Sequence, residues 1–191
     1  WCHEAYTHTR GPLAGQREKP PQFTAGGDLM PRDVWTKLIR EAKEFGVRSL
    51  VYTGGGEPTL HPDFNEVIQS TEIDQGLYTH GGHVDRERAA ILKEKLQWCY
   101  VSLDCATRES YKTLKRVDGF DRACTGVRNL AGASGDATIG VGFMLTRENW
   151  RDGPKMIELA RDLGANYVQF RPTILYDQLH PGRPAEDTSW M

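Results

Sequence analysis

Ser49-Leu50-Val51-Tyr52-Thr53-Gly54-Gly55-Gly56-Glu57-Pro58-Thr59 is the stretch around which the rest of the chain is organised. An apolar, β-branched run stops in three glycines, followed by an acid and a proline. Leu50 and Val51 read as a buried parallel strand, because such strands are apolar on both faces. The glycines permit positive φ and let a ligand approach bare backbone. Pro58 fixes the exit, and His61-Pro62-Asp63-Phe64 opens a helix with proline near its first position. Strand, glycine turn and helix make a site at the carboxyl end of a strand, where α/β proteins bind ligands. The same residues also serve as a tight turn with no ligand at all.

Working outward, the helix before this strand starts at Pro31. It carries Val34, Trp35, Leu38, Ile39, Ala42 and Phe45 on one face and closes at Gly46. Residues 7–28 lack an apolar period and read as a loop. On the other side, Phe64, Val67 and Ile68 stripe a helix. Gly76-Leu77-Tyr78-Thr79-His80-Gly81-Gly82 is a second strand ending in glycines, and Asp85 caps the helix that follows, with Ile91, Leu92 and Leu96. Residues 98–104 form a third strand, followed by helices near 107–115 and 120–132, the second with Phe120, Cys124, Val127 and Ala131 on one side. In a strand at 138–146, Gly140, Gly142 and Met144 face opposite to Ile139, Val141 and Phe143. A helix from Asn149 or Asp152 ends at Gly164, and residues 167–172 make the last strand.

Strands alternating with crossover-length helices mean an α/β protein with a parallel sheet. Crossovers of one hand curl such a sheet toward a barrel, and a doubly wound open sheet fits the pattern equally. The strand ends carry Glu57, Thr79, His80, Asp104, Asn149 and Arg171, which meet over glycine-lined backbone if the ends share a face.

Composition narrows the function classes. The chain has 191 residues, enough for one domain with its own core. A net charge of −2, with no basic run, excludes a general nucleic-acid or membrane-surface binder. No apolar run approaches the ~18 residues of a membrane span, and no signal peptide is seen. Cys2, Cys99, Cys105 and Cys124 show no paired spacing, which points to a reducing cytoplasm. Cys99 and Cys124 fall on apolar positions and read as core thiols, whereas Cys105 ends a strand where a substrate-side role is open. His61 reads as a cap or loop residue, and His80 with His83 lacks a third metal ligand at suitable spacing. The chain opens on Trp1-Cys2-His3 without a methionine and is expected to belong to something longer.

Trp1-Cys2, then Gly55-Gly56-Glu57-Pro58, then Ser102-Leu103-Asp104, in this order and spacing, resemble a radical S-adenosylmethionine (SAM) enzyme. Cys2 matches the third cysteine of that family's C-x-x-x-C-x-aromatic-C motif, and Trp1 the aromatic position before it. The likeness runs from Trp1 to about Pro172. It implies a partial parallel βα barrel of the TIM-like type, whose first strand and other two cluster cysteines lie upstream. Residues 1–174 would form this core, with residues 175–191 leading out of it. It also implies a [4Fe-4S] cluster with Cys2 as a ligand, and SAM as the molecule cleaved reductively to a 5′-deoxyadenosyl radical. Three thiolates leave one iron free to bind another ligand. An external donor of flavodoxin or ferredoxin type would supply the electron. The substrate class, whether peptide, nucleoside-derived or small metabolite, is left open, and so are the catalytic residues.

Carried over residue by residue, the likeness places the methionyl amine of SAM against the backbone of Gly55, Gly56 and Glu57. Ser102 and Asp104 match a strand whose polar end approaches the ribose or carboxylate, and Arg116 matches a basic residue that pairs the carboxylate. Val141 and Asn149 match the strand and turn beside the adenine. Thr79-His80-Gly81 matches a Thr-Asn-Gly run, with histidine in place of asparagine. Two other readings stand beside this one. The first is a βα-barrel lyase or isomerase with a phosphate-binding glycine turn, for which a catalytic lysine at a strand end is missing. The second is a non-catalytic scaffold that has lost the cluster.

Overall fold

The computed structural model describes residues 29–54, 56–146 and 149–172. The loop expected at 7–28 and the segment at 175–191 lie outside the described residues, as do Trp1, Cys2 and Gly55. In chain order the elements are α1 (Arg32–Glu44), β1 (Ser49–Tyr52), a 3₁₀ turn (Pro58–Leu60), α2 (Phe64–Ser70), β2 (Asp74–Thr79), α3 (Arg86–Lys95) and β3 (Trp98–Ser102). They continue with α4 (Arg108–Lys115), α5 (Phe120–Gly132), β4 (Thr138–Leu145), a second 3₁₀ turn (Trp150–Asp152), α6 (Gly153–Leu163) and β5 (Tyr167–Pro172). Local signals set many of the boundaries. The Asp85 carboxylate accepts from Arg88 N–H at 2.8 Å to cap α3, and Thr107 with Ser110 forms a capping box at α4. Gly164, at φ +80°, turns the chain out of α6.

The five strands form one parallel sheet in the order β1-β2-β3-β4-β5. Every new strand is added on the same side of its predecessor. A doubly wound sheet reverses that direction at a switch point, so the consecutive order selects the barrel-type alternative. Alternation then sorts the side chains. Leu77, Cys99, Val101, Ile139, Val141 and Phe143 are fully buried in a cluster with Ile68 of α2, Leu92 of α3, Val127 and Leu130 of α5 and Met156 of α6. Burying each large aliphatic or aromatic side chain there contributes about 1.5–3 kcal/mol. The opposite face of the sheet carries Tyr78, Tyr100, Ser102 and Met144 and is where the polar groups collect.

Two expectations fail at the β1 side. Val51 is 50% exposed and Leu50 half-buried, rather than buried on both faces. Among the described residues β1 is an edge strand, so it lacks the neighbour that covers a central parallel strand. Similarly, of the apolar face read on α1 only Trp35 is buried; Val34, Leu38 and Phe45 are exposed at 45%, 50% and 84%. Periodicity reports which residues share a helix face, not whether something covers it. Cys105 is a third correction. It is fully buried beside Ser110 and Tyr111 rather than facing the polar side of the sheet.

Candidate functional site

The loop after β1 is tied to the end of β2 by the side chain of Glu57. Its Oε1 accepts from Thr59 N–H (3.1 Å), from the Thr59 hydroxyl (2.6 Å) and from the Thr79 hydroxyl (2.6 Å). Its Oε2 accepts from His80 N–H at 2.8 Å. Burial by itself would raise the carboxyl pKa. The donors from His80, Thr59 and Thr79 outweigh it and hold Glu57 below the ordinary glutamate value. His80 in turn accepts from Gly82 N–H at Nδ1 (2.9 Å), which leaves the neutral ring's proton on Nε2, 3.5 Å from Glu57 Oε2. Burial lowers the His80 pKa against the upward pull of Glu57. Gly54 and Gly56 do not use the positive φ that glycine permits. What Gly56 provides is space: a Cβ built there meets nothing within 4 Å. The backbone at the tip of the turn is bare, while the acid faces inward.

Asp104 plays the matching part at β3. It sits at φ +58°, a conformation Asp tolerates better than most residues. Its N–H donates to Gly142 C=O (2.8 Å), and its Oδ1 accepts from Met144 N–H (3.0 Å), so residue 104 is pinned to β4 on both sides. Its Oδ2 pairs with Lys115 Nζ at 2.5 Å, and the same ammonium donates to Ser102 C=O at 3.3 Å. Asn149 is buried, donating to Asp104 C=O (3.1 Å) and Met144 C=O (2.7 Å) and accepting from Thr146 N–H (2.7 Å). Asn149 therefore locks the ends of β3 and β4 together.

Aromatic rings lie on the polar face of the sheet because glycines opposite them make room. A Cβ at Gly142 would fall 2.0 Å from the Tyr100 hydroxyl oxygen. One at Gly140 would fall 2.1 Å from the Tyr167 ring, and one at Gly76 2.3 Å from Trp98. Tyr78 stands edge-on to both Trp98 and Tyr100, each at 5.0 Å between centroids. Burial pushes the Tyr100 hydroxyl pKa up to about 12, so it remains a phenol. A cavity of about 120 Å³ opens here, lined by Tyr78, Tyr100, Ser102, Asp104, Lys115, Met144 and Arg171.

Gly56, Glu57 and Thr79 thus meet at the ends of β1 and β2, and Ser102, Asp104 and Asn149 at the ends of β3 and β4. Two positions read as SAM contacts stand apart. Arg116 is the exposed, left-handed C-cap of α4 (φ +59°) and points no charge at Asp104; the neighbouring Lys115 does. A signal for Lys115 was in the sequence: it lies four residues after Tyr111, the buried residue of α4, and so shares its face. Val141 has its side chain in the helix-side core, leaving only its backbone toward the strand ends. Tyr78 and Tyr100 were missed because a tyrosine in a strand reads first as β-propensity.

The described residues contain no group of three or more His, Cys, Asp or Glu side chains that would hold a metal ion. Cys99, Cys105 and Cys124 are buried, and burial raises their thiol pKa values to about 12, 11 and 11. All three are thiols packed in the buried core cluster. His61 acts as a cap, with Nδ1 accepting from Asp63 N–H at 3.2 Å.

The family model of the radical SAM superfamily matches residues 1–160. Among curated proteins, the chain is 34% identical over 148 residues to a "Probable GTP 3′,8-cyclase" of Metallosphaera sedula, covering 75% of this chain and 44% of that one. A protein of the same description from Saccharolobus solfataricus is 30% identical over 157 residues, covering 80% and 48%. The chain thus spans under half the length of these relatives. Among solved structures, Streptococcus suis SuiB bound to S-adenosylmethionine superposes with a TM-score of 0.63 at 17% identity, over 76% of this chain and 34% of that one. Native anSMEcpe with bound AdoMet gives 0.65 at 18%, over 82% and 46%. The fold is accordingly the partial parallel βα barrel of these enzymes, and the chain belongs to the radical SAM superfamily.

Proposed function

We propose that residues 1–174 form the core of an enzyme that binds SAM at the carboxyl ends of β1 to β4 and cleaves it reductively. The observation carrying this reading is the pair of buried acids. Glu57 and Asp104 each spend their carboxylates on fixing adjacent strand ends, and between them they leave a bare glycine backbone and a polar cavity. That arrangement fits SAM. Unhindered backbone at Gly56, with Gly55 and Glu57, receives the methionyl amine. Ser102 and the Asp104–Lys115 pair face the ribose and carboxylate, with Lys115 taking the part first read for Arg116. Thr79 and Asn149 act through Glu57 and Asp104 and position them. When bound, a [4Fe-4S] cluster with Cys2 among its ligands supplies the electron that splits SAM into methionine and the 5′-deoxyadenosyl radical, which takes hydrogen from substrate.

An external flavodoxin- or ferredoxin-type donor and a cytoplasmic setting go with this reading; among the described residues no helix is long and apolar enough to cross a membrane. The relatives described as GTP cyclases make a purine nucleotide the first substrate to test. SuiB bound to its precursor peptide SuiA keeps a peptide as the alternative.

Under anaerobic conditions with dithionite and SAM, a reconstituted protein carrying Cys2 together with the other two cysteines of the cluster motif is expected to release 5′-deoxyadenosine and methionine, measured by chromatography. Gly56→Val should weaken SAM binding with iron content intact, since the open Cβ position lets the variant fold while obstructing the ligand. Cys2→Ala should lose the cluster first. A reconstituted protein that leaves SAM whole refutes the proposal, as does a Gly56→Val variant that binds SAM normally.

A further inference from the structure

Two side-chain acceptors hold the start of the turn after β2. Thr79 Oγ1 accepts from Gly81 N–H at 3.0 Å, and His80 Nδ1 accepts from Gly82 N–H at 2.9 Å. The second contact spans residues i and i+2, the geometry in which an Asn or Asp oxygen closes a turn on its own backbone. Here the acceptor is a ring nitrogen, which can accept only while it carries no proton. The backbone N–H of the same residue donates to Glu57 Oε2 at 2.8 Å, so this turn is tied directly to the carboxylate that closes the β1 loop. The ring packs close on the glycine: a Cβ at Gly82 would fall 3.1 Å from both Nδ1 and Cε1 of His80. Charges of both signs surround it. Glu57 Oε2 lies 3.5 Å from Nε2, whereas Lys115 of α4 and His83 of the same turn oppose a second proton. Arg122 of α5 stands next to Gly82, and Arg88 of α3 donates to the His83 carbonyl. Burial, and after it His83 and Lys115, outweigh Glu57 and hold the ring below the ordinary histidine value.

We propose that His80 is a positioning residue that works only as the uncharged ring: it clamps the turn after β2, and through that turn the Glu57 carboxylate, and releases both when it gains a proton. A protonated imidazole carries N–H at both nitrogens, so Nδ1 would meet Gly82 N–H donor to donor. The ring then swings away toward Glu57 Oε2, and the turn loses its closing bond. Glu57 is left with a less firmly placed His80 N–H, and the glycine backbone beside it is less well held. The consequence for ligand rests on the reading that this backbone receives SAM; the consequence for the turn does not.

The test compares the native chain with His80→Asn and His80→Ala. Asn keeps an acceptor two residues from Gly82 N–H but does not titrate, and Ala has no acceptor. Ring-nitrogen NMR of the histidine-labelled native chain near pH 7.5 should find the His80 proton on Nε2. Urea midpoints are then measured from pH 8 to 5.5, above the range in which Glu57 titrates. The folded-state value of His80 lies below 6.5, so its contribution is complete above 6.5 and is lost as pH falls through the folded value. The native midpoint should therefore drop on acidification relative to His80→Asn. His80→Ala should already be low at pH 8 and keep a constant gap to His80→Asn. In the cluster-loaded protein, SAM affinity should fall about three- to tenfold more between pH 7.5 and 5.5 in native than in His80→Asn, the worth of one hydrogen bond. Ionisation of SAM itself affects both alike. A native-to-Asn difference that stays constant from pH 8 to 5.5 overturns the proposal, as does a His80 proton found on Nδ1. Midpoints that diverge while the SAM profiles coincide overturn its reach to the ligand. A native protein that binds no SAM at any pH counts against the function proposed above, and the midpoints still decide the role of His80.

Discussion

Glu57 is held as an anion by donors from both sides of the gap it closes: Thr59 on its own turn, Thr79 and His80 on β2. Its side chain is only 7% exposed, so these bonds are shielded from water. Glu57→Gln keeps the shape but puts an amide N–H₂ where one carboxylate oxygen accepts, and should cost about 1.5–3 kcal/mol near neutral pH. The pH dependence has a fixed sign. The folded-state pKa lies below the ordinary 4.5, so the contribution is complete above that value. It is lost as pH falls through the lower folded value. Urea midpoints of the two proteins should therefore differ at pH 7 and converge toward pH 3; a gap that persists in acid means the carboxylate is not what stabilises the turn. This residue also marks how far the site could be read in advance. The glycines and the acid at 54–57 were legible as a site from their order alone. The direction of the acid was not, because a Glu beside a proline gives no hint that Thr79 and His80 will meet it from a strand more than twenty positions away. Lys115 and Arg116 make the same point, since only the turn ending α4 decides which of two adjacent cations faces Asp104.

Elements are positioned by close approaches that sequence patterns hide. Gly126 sits in the middle of α5, where glycine costs about 1 kcal/mol of helix stability relative to alanine. A Cβ there would stand 2.0 Å from the Gly81 carbonyl oxygen, so α5 packs directly on the backbone of the turn after β2. That turn, with Gly81 at φ +77°, also presents His80 N–H to Glu57. Gly126→Ala should destabilise the protein, because separating the helix from the turn costs about 1–3 kcal/mol and exceeds the gain in propensity. Gly132, at the end of the same helix, has open space around it, and Gly132→Ala should be neutral or slightly stabilising. Equal thermal shifts for the two variants would show that the contact with Gly81 does not position α5. The existence and order of the described helices and strands followed from period and caps, as Asp85 and Gly164 show. What periodicity left unspecified was which apolar faces are covered, as at α1 and Val51.

Across the described residues, burial is graded from the sheet's centre outward. β2, β3 and β4 share a continuous core with α5, which buries Ala123, Cys124, Gly126, Val127 and Leu130. α1 buries Trp35 alone, and β1 alternates exposed and half-buried residues. The consecutive strand order, which neither strand lengths nor periodicity could supply, puts the firmly held ends of β2 to β4 on the two buried acids and leaves β1 with its glycine turn at the looser margin. Opening free energies in a folded protein follow buried apolar contact. Native-state amide hydrogen exchange should therefore find the highest protection in β3, β4 and α5, with α1 and β1 opening at lower free energy. Ligand adds a second pattern to the first. If SAM bridges the β1 turn and the ends of β3 and β4, its binding joins a loosely held element to a tightly held one. Protection should then rise at residues 56–57, 79–81 and 102–104, and in β1 as a whole, while the outer turns of α1 change little. The cluster-loaded protein with and without SAM supplies the comparison, read by mass spectrometry of peptides. Protection gained only around β5, or spread evenly over the chain, would place SAM somewhere other than the strand ends joined by Glu57 and Asp104.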